Sequence, residues 1–171
     1  MVIWLIGLSG AGKTTIGRHV YKMCKDKSQN TVFIDGDEVR EIFDDNQTAE
    51  SYTIKGRRKN AKRITELCAW LDRQDINVVC CILSIFPEMR ASNTKRFSSY
   101  FEAYIKIPMV DLKRKDSKGL YNAAINGKIE NVVGVQIPFP EPTAADIIID
   151  NSNFDINPKS HAEKIFKDAI K

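Results

Sequence analysis

The stretch Gly7-Leu8-Ser9-Gly10-Ala11-Gly12-Lys13-Thr14 has the spacing GxxxxGK[ST]. Glycines let a backbone curl until successive N–H groups converge on phosphate oxygens, and a helix starting there adds the positive end of its dipole. In this reading Gly7, Ser9, Gly10, Ala11, Gly12 and Thr15 line the phosphates of a nucleoside triphosphate. Lys13 reaches the terminal phosphates, and the Thr14 hydroxyl ligates Mg²⁺. Asp35-Gly36-Asp37 sets two further carboxylates just after the apolar run 31–34. Such a pair can hold a metal-linked water or take a proton from an acceptor hydroxyl. A turn with surface aspartates is the bland alternative, and the phosphate motif favours the functional one. Arg40, on the expected first turn of the next helix, carries a guanidinium suited to bidentate phosphate recognition. The basic clusters 55–63 and 113–115 are either solvated helix faces or the walls of a pocket for a polyanionic small molecule.

These groups need a scaffold that brings them to one rim. The chain has 171 residues, 43% apolar and 28% charged, the balance of one soluble domain over 1–171 with a core of its own. Apolar runs at 2–6, 31–34, 77–83, 103–107 and 146–149 are near-continuous in Val and Ile, as strands buried on both faces are. Between them, 15–25 and 60–71 carry helical spacing, and 160–170 closes the chain as a helix. The pattern predicts an α/β fold: a P-loop-type, doubly wound, mostly parallel five-stranded sheet flanked by helices, with ligands outside the carboxyl ends of the strands. Segment 116–142 is rich in Gly and Pro with one short helix at 120–126, the composition of a lid.

Other residues fit packing. Cys24, Cys68, Cys80 and Cys81 form no CxxC pair and read as reduced core thiols. His19 and His161 are expected on helix surfaces, and Trp4 and Trp70 in the core or an interface. A net charge of +4 is modest, and no aromatic–basic platform for a strand is visible, so no nucleic-acid partner is expected. With no membrane-length apolar run and no basic leader, the expected location is the cytoplasm.

GLSGAGKTT, DGDEVR, the segment 57–64 (RRKNAKRI), and Asp116-Ser117-Lys118-Gly119-Leu120-Tyr121 together resemble the adenylylsulfate (APS) kinase family. The resemblance continues through Gly127-Lys128-Ile129-Glu130-Asn131 and Phe139-Pro140-Glu141-Pro142, and so spans essentially the whole chain. It implies an ATP-dependent, Mg²⁺-requiring kinase, usually a homodimer, that phosphorylates the ribose 3′-hydroxyl of a nucleoside with a 5′ mixed phosphate anhydride. Carried over by position, Lys13 and Thr14 serve ATP and Mg²⁺, and Asp35 supports the metal. Asp37 is the acceptor-side base or metal-water ligand, and Lys118 closes over the reacting phosphates. Arg40, Arg57 and Asn60 hold the acceptor's anhydride, while Ser84 is either a substrate contact or a strand-end cap.

The departures concern the acceptor base. The family's Leu-Gly-Phe between Arg40 and Arg57 is replaced by the longer 44–53, which lacks the Phe. Its second Phe, near the end of the lid, is replaced within Val132-Val133-Gly134. A stacked base is worth about 1–3 kcal/mol, so losing both walls weakens adenine binding about a hundredfold unless Tyr52 takes one side. The family's Ser-Pro-Tyr/His-Arg becomes Ser84-Ile85-Phe86-Pro87, and its arginine against the ATP base becomes Lys115. One branch of the family phosphorylates cytidine diphosphoramidate, and the chain resembles that branch, Val-Val-Gly included. Cytidine diphosphoramidate is therefore the favoured acceptor. Adenylyl sulfate is the alternative, and a non-catalytic nucleotide-binding module the reading from another class.

Overall fold

The computed structural model describes residues 1–44, 48–116 and 118–171. Part of the rebuilt 44–53 segment and Ser117 of the lid motif therefore lie outside the described residues. The strands are β1 (Val2–Ile6), β2 (Thr31–Asp35), β3 (Asn77–Ile82), β4 (Tyr100–Lys106) and β5 (Ile147–Asp150). They pair in the order β2-β3-β1-β4-β5, and every pairing is parallel. Register is simple: Ile3 lies opposite Val79 and Phe101, and Ile6 opposite Ile82 and Tyr104.

The helices are α1 (Lys13–Lys27), α2 (Gly36–Ile42), α3 (Ile54–Asp72), α4 (Pro87–Arg96), α5 (Met109–Lys115), α6 (Leu120–Ile125) and α7 (Pro158–Ala169), with a 3₁₀ turn at Ala49–Tyr52. Alternation along β3 shows how they cover the sheet. A Cβ on Gly17 of α1 would stand 2.3 Å from the Cys81 sulfur, whereas Cys80 points the other way, to Cys68 of α3. Adjacent strand residues face opposite sides, so helices bury both. All five residues of β1 are buried, and all four cysteines are free and buried.

The expected strands are all present, β1 with the expected bounds and the others with ends shifted by at most three residues. Helix α3 begins six residues before the expected 60, because the Thr53 hydroxyl accepts from the Gly56 N–H and caps it there. Helix α4, starting at Pro87, was hidden by its polar sequence, PEMRASNTKR. His161 is not on a helix surface: α7 buries it to 4% exposure. Trp4 is core, but Trp70 is 54% exposed and belongs to no core.

Candidate active site

The phosphate loop joins β1 to α1 at the carboxyl edge of the sheet. Gly12 stands at φ +93°, and a Cβ there would meet the Asn151 amide nitrogen at 2.6 Å. That nitrogen donates instead to the Ala11 carbonyl at 2.9 Å, so the end of β5 fastens the loop. Lys13 folds back along the loop, its Nζ donating to the Leu8 carbonyl at 2.8 Å. Burial pushes the Lys13 ammonium below its ordinary pKa, with Cys81, Asp37 and Asp35 pulling it back up and Lys118 adding a further push down. A desolvated ammonium on a neutral carbonyl gains from exchanging that partner for a phosphate.

Asp35 has two tasks. Its Oδ2 accepts from the Thr14 hydroxyl at 2.6 Å, and its Oδ1 accepts from the Asp37 N–H at 2.9 Å, capping α2. A hydroxyl and a carboxylate brought together at a phosphate loop are hard oxygen donors, the set that suits a Mg²⁺ completed by water and nucleotide phosphates. Asp37, on the first turn of α2, is exposed at the same rim. Arg40 is in the last turn of this seven-residue helix, not the first as expected.

Two arginines meet over one ring. The guanidinium carbons of Arg40 and Arg57 lie 4.9 and 5.6 Å from the centroid of Tyr52. Arg40 Nη1 donates to the Ser51 carbonyl and Arg57 Nε to the Tyr52 carbonyl, each at 2.8 Å. Arg57 Nη2 also reaches the Asn131 carbonyl in the lid at 2.8 Å. Gly56 permits this arrangement, since a Cβ there would stand 2.3 Å from the Glu50 carbonyl oxygen. Burial and the neighbouring Arg40 charge both push the Arg57 pKa down, with Tyr52 and Asp37 opposing. Two guanidiniums that disfavour each other gain from an anion between them. Buried Arg40 Nε and Asn60 Oδ1 lack partners among the described residues, while Asn60 Nδ2 donates to the Gly36 carbonyl at 3.4 Å.

The remaining expected residues divide. Ser84, at φ +54°, turns its Oγ to Trp4 Nε1 (3.3 Å), and its carbonyl accepts from Arg90 Nη1 (2.6 Å). Those contacts fit the strand-end role. Lys118 is exposed at the start of the lid, close enough for its charge to act on Lys13. Val132 is buried, its N–H donating to Gln136 Oε1 at 2.9 Å. Lys115 is exposed at the end of α5, its Nζ 4.0 Å from the centroid of Phe154. Phe139 packs on Tyr104, ring centroids 6.0 Å apart, beside a cleft of about 490 Å³ between the lid's tail and the end of β4.

Several contacts could not be read from the sequence. Tyr121 ties the lid to the phosphate loop, its hydroxyl donating to the Ser9 carbonyl at 2.7 Å. Gln136 clamps the lid on itself, receiving from Val132 and donating to the Ala124 and Ile129 carbonyls at 3.3 Å. Asn151 carried a usable signal, because it follows an apolar strand directly, much as the Asp35-Gly36-Asp37 carboxylates stand at and just past the end of β2.

The chain has similar sequences and a similar fold among known proteins. Residues 1–150 match the family described as adenylylsulphate kinase. Cytidine diphosphoramidate kinase of Campylobacter jejuni is 41% identical over 151 residues, 88% of this chain and 86% of that one. Adenylyl-sulfate kinase of Paraburkholderia xenovorans is 30% identical over 159 residues, 91% of this chain and 86% of that one. The structure of the Mycobacterium tuberculosis APS kinase, in complex with AMPPNP and APS, superimposes with a TM-score of 0.85 at 24% identity, covering 99% of this chain and 97% of that one. That last likeness is one of fold. The match over residues 1–150 is more than likeness of fold: the chain belongs to the adenylylsulphate kinase family, whose members are phosphotransferases.

Proposed function

We propose that the chain transfers the terminal phosphoryl group of ATP to the ribose 3′-hydroxyl of a nucleoside 5′ mixed anhydride, and that its acceptor is cytidine diphosphoramidate. Val132 carries the choice of acceptor: it is buried and aliphatic where the family resemblance calls for a stacking ring. Tyr52, the one aromatic in the rebuilt segment, lies beneath two guanidiniums, which leaves a smaller apolar wall than adenine stacking needs. A phosphoramidate resembles a sulfate in size and tetrahedral shape, so the same cationic pair can hold either. The 41% identity to the Campylobacter jejuni enzyme points the same way.

Phosphoryl transfer needs positioning and charge neutralisation more than covalent chemistry. Lys13 leaves the Leu8 carbonyl for the terminal phosphates, and Lys118 descends with the lid onto the group in transfer. Asp37 accepts the proton of the 3′-hydroxyl as its oxygen attacks. Arg40, Arg57 and Asn60 hold the anhydride, so that the sugar faces Asp37. Thr14 and Asp35 would hold Mg²⁺, which would supply positive charge to offset that of the phosphates. We place this reaction in the cytoplasm and in a homodimer; among the described residues no helix is long and apolar enough to cross a membrane.

Steady-state kinetics with the two acceptors test the proposal. The expected result is a kcat/KM at least about tenfold higher for cytidine diphosphoramidate than for adenylyl sulfate. The reverse order would overturn the acceptor and leave the kinase. Absence of a 3′-phosphorylated product from either would overturn the kinase.

A further inference from the structure

We infer that Phe154 is the platform on which the base of the donor nucleotide stacks. The inference rests on the donor half of the function proposed above and extends it to a residue outside the phosphate loop. That loop leaves β1 with two flanks. On the flank of β3 and β2 stand Asp35, Asp37 and Arg40, whose charges suit a sugar hydroxyl and an anhydride. The flank of β4 and β5 offers different chemistry. Asn151, directly after β5, is bonded to the Ala11 carbonyl and so fastens the end of β5 to the loop. Three residues further on, Phe154 keeps 37% of its surface exposed. Lys115 Nζ stands 4.0 Å from its ring centroid. Lys115 also lines, with Ser9, Gly10 and Tyr121, the small recess at the mouth of the phosphate loop.

In-line transfer fixes the direction of the donor. With its terminal phosphate toward Asp37, the triphosphate must send its nucleoside to the opposite flank. There Phe154, three residues beyond the Asn151 that bonds the loop, presents a flat, partly exposed apolar face. Every nucleobase has a face that stacks on such a ring. Stacked rings keep centroids about 4.5–7 Å apart, so a base and an ammonium at 4.0 Å cannot share one face of the ring. Lys115 covers the ring in the nucleotide-free protein, and its flexible stem swings toward the recess when a base arrives.

Calorimetric titration of the whole protein with ADP and Mg²⁺, no acceptor present, tests this apart from the choice of acceptor. Phe154→Ala is expected to raise the ADP Kd by about 5- to 100-fold. The Kd for inorganic tripolyphosphate, which has no base, should stay within twofold of the wild type. Phe154→Leu, which keeps apolar bulk without a flat face, should behave as the Ala variant, and Phe154→Trp should restore ADP affinity. Unchanged ADP affinity in both the Ala and Leu variants would overturn the inference. So would an equal loss of ADP and tripolyphosphate affinity, which would mean that Phe154 only supports the phosphate loop. Wild-type protein that binds tripolyphosphate but no ADP would instead overturn the donor assignment itself.

Discussion

Asp37 has little around it to replace it. It is exposed on α2, while its neighbour Asp35 already bonds the Thr14 hydroxyl and the Asp37 N–H. Asp37→Asn keeps size and polarity but cannot take a proton. General-base catalysis contributes about 10²–10⁴-fold, so kcat should fall by about that factor while ADP affinity changes little. ADP release in a coupled assay, beside calorimetric ADP binding, measures both, and undiminished turnover would remove Asp37 from the reaction. At this scale the glycines, Lys13, Thr14 and the paired aspartates were readable, because phosphate and metal chemistry demand those types at that spacing. Tyr52 beneath two arginines was not. Its partners lie on α2 and α3, and no spacing rule links a turn to two helices it touches only after folding.

At the scale of elements, the acceptor side depends on how the 3₁₀ turn docks on α3. Arg40 and Arg57 grip two consecutive carbonyls of that turn, and Gly56 gives it room. A methyl group at 56 would press on backbone atoms of Glu50 and Ser51 at 2.3–2.7 Å, which cannot turn aside as a flexible side chain would. Gly56→Ala should therefore lower stability by about 1–3 kcal/mol in urea denaturation and raise the acceptor KM, with ADP binding unaffected. Equal stability and an unchanged acceptor KM would show that the turn can shift freely. Strands were readable as elements because burial on both faces writes unbroken apolar runs. Helix α4 was not, since its residues are mostly polar and its buried residues are polar too: Arg90 bonds the Ser84 and Pro140 carbonyls, and Asn93 the Tyr100 hydroxyl.

Across the whole molecule, the parallel sheet follows from the alternation of apolar runs with crossover segments, and the closing helix α7 seals one of its faces. His161 is buried in that helix with Nε2 unpartnered among the described residues. Burial lowers its pKa from 6.5, Lys164 lowers it further, and Asp150 opposes. Below pH 6.5 the unfolded chain therefore takes up a proton that the folded protein refuses, so stability falls as pH drops until the folded-state pKa is reached. Thermal melts between pH 7.5 and 5 should show this decline, and His161→Leu should flatten it. The carboxylates held below their usual range, Asp72, Glu88 and Asp150, titrate at lower pH, whereas burial raises the Glu102 pKa, and its protonation opposes the decline that His161 causes. A decline of the same slope in the Leu variant would assign it to other groups.

The burial of Cys24, Cys68, Cys80 and Cys81 has a practical consequence. Burial raises the Cys24 pKa to about 11, and pushes those of Cys80 and Cys81 up as well. Alkylating reagents and mild oxidants attack thiolates that they can reach, and the native fold offers them almost none. The protein should keep in air without added reductant, and its slow uptake of iodoacetamide would time the moments when the domain breathes open.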